Sequence, residues 1–214
     1  TQGKNSARRT IFMGQPSVAA YTLSQDLLGS YDANVDLRYS HWFNSVKNVG
    51  WVWLKYSVLT ASPASEVSSE FLLRLPEVYL NKAEALIMLG RTEEAIDVLR
   101  TLREKRLAAE TTDVIPTSQE DLVQFVRLER RLELCGEGHR WFDLRRYAVH
   151  PTFPEEKEII HESVKNGTKI GYYRLAPYSE NSNNWVWPIP EDAVIFNDGA
   201  LVANERDGAP LVEY

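Results

Sequence analysis

Three glutamates four residues apart, Glu129, Glu133 and Glu137, constrain this chain more than any other feature. They lie in the stretch Glu129-Arg-Arg-Leu-Glu-Leu-Cys-Gly-Glu-Gly-His-Arg-Trp-Phe-Asp-Leu-Arg-Arg146, which reads as helix. Residues at that spacing stack on one helix face, so the carboxylates repel one another unless cations reach them. Any fold must supply those cations. Arg130, Arg131, Arg140, Arg145 and Arg146 are close in sequence, and a guanidinium grips a carboxylate with two parallel hydrogen bonds. The bland reading is therefore a structural ion-pair network of Glu129, Glu133, Glu137, Arg140, Asp143 and Arg145. Glu129 and Glu133 flank the apolar stripe of the helix and are expected to be half buried.

Two chemical readings compete with it. A glycan-cleaving hydrolase using Glu133 or Glu137 needs two carboxylates facing each other across a substrate, about 5–10 Å apart. Glutamates on successive turns of one helix point the same way. A bundle metal site needs Glu-x-x-His pairs. Position 136 is Gly136 and position 140 is Arg140, so neither Glu133 nor Glu137 has its histidine. His41, His139, His150 and His161 show no metal-type spacing. There is no Gly-x-Ser-x-Gly elbow, dinucleotide fingerprint or P-loop. The expectation is no catalytic residue, no metal and no cofactor.

The net charge of −6 argues against binding nucleic acid through a broad basic surface. The single cysteine, Cys135, excludes an intrachain disulfide framework and a cysteine-based zinc site. It lies on the apolar stripe and reads as a buried, inert thiol. No apolar run reaches the about 18 residues needed to span a membrane as a helix.

Helical periodicity is confined to the middle. Residues 1–70 form a loop-rich aromatic segment, 71–150 a helical core and 151–214 an irregular C-terminal segment, all within one region spanning 1–214. In the first segment a short helix is expected around Leu23 to Leu28, and a strand at Trp51-Val-Trp53-Leu-Lys-Tyr56. Pro76 suits a first helical turn, and Leu75, Tyr79, Ala83 and Leu86 recur at helical spacing. Gly90 stops that helix. Thr92 is a candidate N-cap for the next, which carries Ala95, Ile96, Leu99 and Leu102. Two amphipathic helices joined by a tight glycine turn resemble one tetratricopeptide-type repeat, and a solenoid needs about three. Thr117 with Glu120 offers a capping box for a third helix with Leu122, Phe125, Leu128, Leu132 and Cys135 inside. Arg140 to Tyr147 reads as a short fourth. Beyond it, Asn166-Gly167 signals a turn and Trp185-Val-Trp187 a strand stopped by Pro188.

Five of the six tryptophans, Trp42, Trp51, Trp53, Trp185 and Trp187, lie outside the helical block. Sugar C–H faces lie flat on such rings, and Asn44, Asn48, Asn181, Asn183 and Asn184 could take the hydroxyls. These five tryptophans are the candidate ligand-binding residues. The competing reading is that they pack loop-rich segments onto the helices.

Taken together, Leu72-Leu-Arg-Leu-Pro-Glu-Val-Tyr-Leu-Asn-Lys-Ala-Glu-Ala-Leu86, the Gly90 turn and the Glu129–Arg146 motif resemble the SusD/RagB family of nutrient-binding outer-membrane lipoproteins. Asp36-Leu-Arg38 is similar to that family's Asp-x-Arg. Trp187-Pro-Ile-Pro-Glu-Asp192, with Asn197 and Asn204, is similar to its closing segment, although Asp198 and Glu205 stand where proline is usual. The resemblance covers most of residues 30–210. It implies a mainly α fold of tetratricopeptide-like helical hairpins with long irregular loops and a few short strands. It implies non-catalytic capture of a nutrient, a glycan or a peptide, for import through a SusC-like TonB-dependent transporter, with an oligosaccharide the leading expectation for this chain. It implies a cell-surface lipoprotein whose lipid-bearing cysteine is not in this chain. It also implies that the chain is the C-terminal portion of a longer precursor and that the missing N-terminal half is a partner. A helical-repeat scaffold for protein–protein interaction is the alternative from another class.

Overall fold

Pro76 sits in the first turn of α3 (Leu75–Met88), where its missing N–H leaves no carbonyl unserved. The structure is a computed structural model that describes residues 23–46, 50–53, 55, 73–165, 168–197, 199–208 and 210–214, with backbone alone at 46, 52, 53, 164 and 165. At the end of α3, Gly90 adopts φ 73°, the Gly90 N–H reaches the Ile87 carbonyl and the Arg91 N–H reaches that of Leu86. This pair of bonds is a Schellman stop, which requires a left-handed residue. It leaves a single residue before α4 (Thr92–Arg103), so the N-cap is Arg91 and not Thr92. The correction is one residue and has a local cause: the glycine stop starts the next helix early.

Leu80, Ala83, Leu86 and Ile87 of α3 and Ala95, Val98, Leu99 and Leu102 of α4 are buried. Ala83 and Ala95 are fully buried, and their small side chains let the helices approach closely. α5 (Gln119–Glu133) packs on both. Its N-cap is Ser118, whose hydroxyl accepts from the Asp121 N–H at 3.1 Å and donates to the Asp121 carboxylate at 2.7 Å. The capping pair is thus one residue later than Thr117 and Glu120. Leu122, Val123, Val126 and Leu132 form its inner face, while Leu128 is 42% exposed. Two steps of three residues carry Leu128 roughly 120° round the helix from Leu122, off the buried face.

The chain forms two compact units, Thr1–Glu137 and Gly138–Tyr214. The first also holds α1 (Gln25–Leu28), α2 (Leu37–Trp42) and an antiparallel pair, β1 (Phe43–Val46) and β2 (Gly50–Trp53), in register Phe43 to Trp53. The expected strand from Trp51 to Tyr56 corresponds to β2, and Leu54 and Tyr56 lie outside the described residues. Leu28, Tyr31, Phe43, Leu132 and Cys135 make a small core that ties this segment to the end of α5. The Tyr31 hydroxyl donates to the Leu132 carbonyl at 2.7 Å.

The second unit opens with α6 (His139–Ala148), entered through Gly138 at φ 86°. β3 (Ile159–Lys165) and β4 (Thr168–Leu175) pair antiparallel, Lys165 opposite Thr168, and β5 (Val212–Glu213) pairs with β4. Asn166 and Gly167 lie outside the described residues. Trp185-Val-Trp187 is not a strand: Ser182–Trp185 is a 3-10 turn capped by the Asn181 side chain, and Trp187 follows it outside any sheet. A short α7 (Glu191–Ile195) starts at Pro190.

Candidate functional site

The glutamate ladder gathers buried charges of both signs in the first unit. Glu129 takes Arg38 at 2.6 Å and also Arg103. Glu133, fully buried, takes Arg38 at 3.2 Å, Arg74 at 3.1 Å and Arg106 at 2.8 Å. Glu137 takes Arg74 Nε and Nη2, each at 2.8 Å, together with Lys55. Arg38 is anchored from behind by Asp36, which also caps α2, and Arg103 by Asp113. Five carboxylates thus face five cations. The expected partners are corrected: Arg130 hydrogen-bonds Asn81 and approaches Glu77, Arg131 pairs with Asp26, and Arg146 with Asp143. Arg130 and Arg131 point off the ladder because neighbouring residues on a helix diverge by roughly 100°. Arg140, Asp143 and Arg145 belong to α6, in the second unit.

The ladder is electrostatically settled. Burial alone would raise the Glu133 pKa, but hydrogen bonds and charge from Arg106, with Arg38 and Lys55, outweigh it and hold the carboxyl below its usual range. Glu137 is treated alike by burial against Arg74 and Lys55, again with a net lowering. Burial pushes Lys55 below the ordinary lysine range and Cys135 above the ordinary thiol range. Arg38 is likewise pushed towards neutrality by burial, but Glu129 and Asp36 lift it well above its ordinary value. Glutamates held ionised by several donors have no proton to give as general acids, and their bonds tie α5 to Arg38 of α2 and Arg103 of α4.

The candidate tryptophans divide by exposure. Trp42 and Trp51 are half buried against the small core; Lys55 Nζ lies 3.9 Å from the Trp42 ring centre, and Trp51 packs on Tyr39 at 5.3 Å. The Trp53 side chain lies outside what is described, as does Asn48. Trp185 is 1% exposed, stacked on Trp141 at 5.1 Å with its indole N–H donating to the Ala176 carbonyl at 2.8 Å. Its faces are used in packing. Trp187 is 66% exposed and stacks on Phe142, itself 59% exposed, at 6.4 Å and 28°. Pro188 restricts Trp187 to extended backbone, and Asn204 Nδ2 donates to its carbonyl at 2.7 Å, so an exposed ring is held in place.

Beside this pair, Phe142, Arg145, Arg146 and Val149 share one face of α6 and, with Tyr178, line an open cleft of about 280 Å³. Arg146 is committed to Asp143 at 3.0 Å and to the Tyr147 ring, 4.5 Å away. Arg145 is half buried and has no hydrogen bond or ion pair among the described residues, with its Nε shut off from solvent. An aromatic platform beside a cationic cleft can hold a flat, hydroxyl-rich ligand. Phe142, Val149 and Tyr178 were missed as site residues from sequence. The signal was the 142, 145, 146, 149 spacing on α6, which the reading of these arginines as ladder partners obscured.

The chain matches the SusD family over residues 17–206. It is 39% identical over 98 residues to SusD-like protein P38 of Formosa agariphila, a stretch covering 43% of this chain and 20% of that protein. Its fold is similar to that of a SusD superfamily protein from Bacteroides thetaiotaomicron, with TM-score 0.65 and 23% identity, over 92% of this chain and 42% of the other. A SusD-like carbohydrate binding protein from Bacteroides vulgatus gives TM-score 0.55 and 18% identity, over 84% of this chain and 41% of the other. The chain therefore spans about a fifth of that curated relative and about two fifths of each of these solved chains.

Proposed function

Because this chain belongs to the SusD family, we propose that it takes part in non-catalytic capture of an oligosaccharide at the cell surface, for import through a SusC-like TonB-dependent outer-membrane transporter. The observation that carries this reading is the exposed, backbone-anchored Trp187 stacked on Phe142, which itself lines the α6 cleft. Sugar rings present apolar C–H faces that desolvate well on such a platform, while polar groups nearby fix orientation. A solved protein of similar fold is described as carbohydrate binding. A lipid anchor and preceding helical pairs supplied by a longer precursor belong to the same proposal.

Glycan-array screening followed by calorimetry tests it. Trp187→Ala and Phe142→Ala are expected to weaken saccharide binding by at least about tenfold with an unchanged melting temperature. Unaltered affinity in both variants would remove this platform from the ligand site.

One observation favours a second reading, a helical scaffold that binds protein. Leu75, Val78 and Leu89 of the α3 region are 66%, 59% and 70% exposed. A tight protein complex formed through these residues, with no saccharide bound, would select the scaffold.

A further inference from the structure

We propose that the saccharide unit taken by the α6 cleft is acidic, with an oxyanion on the sugar ring seated on Arg145. The proposal rests on the saccharide-binding reading above and names the chemistry of that ligand. Its foundation is an imbalance of charge. A half-buried guanidinium loses hydration, and elsewhere in this protein such groups recover it from carboxylates: Arg38, Arg74, Arg103 and Arg106 each hold at least one. Arg145 holds none among the described residues, and its Nε has neither water access nor an acceptor.

Among the described residues the cleft holds no acid in its lining. Its lining is Phe142, Arg145, Arg146, Val149 and Tyr178, and the adjacent Asp143 is engaged by Arg146. The local charge is therefore positive on a chain whose net charge is −6. Phe142 stands one turn before Arg145 on the same helix face, and its ring continues into Trp187. A sugar lying on the Phe142–Trp187 platform presents a ring substituent to Arg145. A uronate carboxylate matches the planar guanidinium fork with two parallel bonds; a sulfate ester satisfies the same donors with less angular demand. Both are oxyanions on a sugar ring, and experiment separates them.

The test uses the 214-residue chain on matched neutral, uronate-bearing and sulfated oligosaccharides, with calorimetry on the strongest binders. The expected result is at least about tenfold preference for an acidic glycan over its neutral counterpart. That preference should shrink as ionic strength rises from about 0.05 to about 0.5 M, because screening shortens the reach of the guanidinium charge. Arg145→Gln should abolish the preference while leaving residual binding to the neutral glycan. Should that variant fail to fold, Arg145→Lys keeps the charge but loses the fork, and is expected to lower uronate affinity more than sulfate affinity. Methyl esterification of the uronate ligand requires no protein variant and should reduce its affinity to the neutral level. Equal affinity for neutral and acidic glycans, insensitive to salt and to Arg145, overturns the acidic assignment and leaves saccharide binding standing. Absence of binding to every glycan overturns both.

Discussion

At the residue scale, Glu133 joins three arginines of the first unit. It is fully buried and accepts from Arg38, Arg74 and Arg106. Glu133→Gln leaves buried guanidinium groups without their counter-charge, at a cost of about 3–5 kcal/mol. The urea midpoint should fall accordingly, and a midpoint within error of wild type would refute the brace. The pH dependence has a definite sign. Glu133 and Glu137 have folded-state pKa values below their unfolded ones, so their stabilisation is complete above the unfolded value of about 4.3 and is lost as pH falls through the folded values. Cys135 is raised, so its contribution is complete below about 8.5 and fades as pH rises. Urea midpoints should therefore decline below about pH 4, and separately on the alkaline side. The Glu129–Glu133 step of the ladder was legible from four-residue spacing, whereas Glu137 joins it from the turn after α5. The ladder's cations were not legible, because Arg38 lies 91 residues from Glu129 and Arg74 lies 59 from Glu133, separations that no local period encodes.

At the scale of elements, helices were legible where one face is buried. α3, α4, α5 and α6 each carry a 3.6-residue apolar pattern ended by glycine or by a change of composition; the caps moved by one residue, and α5 stops at Glu133, so Cys135 and Glu137 lie in the turn before α6 rather than on the expected helix. The β3–β4 hairpin announced itself only through Asn166-Gly167. Along β4 only Gly171 is fully buried, so there is no alternation of inside and outside for a sequence to display. Gly171 has a steric reason: a Cβ there would lie 2.2 Å from the Val212 carbonyl oxygen. Gly171→Ala should detach β5 at a local cost of about 1–3 kcal/mol, read as faster hydrogen exchange at the Tyr214 amide, which reaches the Ile170 carbonyl. The burial of Trp185 was hidden for a related reason. In a 3-10 turn the side-chain direction depends on caps such as Asn181 rather than on a strand period.

At the scale of the whole molecule, the α3–α4 hairpin is one stacking unit with an open side. Repeat helices bury such a side against a neighbouring pair. Leu73, Leu75, Val78 and Leu89 remain largely exposed in this chain. The 214-residue chain by itself is therefore expected to bind ANS and to self-associate with rising concentration, while Leu75→Lys with Val78→Lys should suppress both. A compact, ANS-silent monomer at all concentrations would show that the face needs no cover. The ion network carries a consequence for how this chain is made. Arg38, Lys55, Arg74, Arg103 and Arg106 all precede Glu129 in sequence, so synthesis from the N-terminus delivers each positive group before the first glutamate of the ladder emerges. Asp36 and Asp113 emerge before it and answer Arg38 and Arg103, so Lys55, Arg74 and Arg106 are the cations that wait for Glu133 and Glu137.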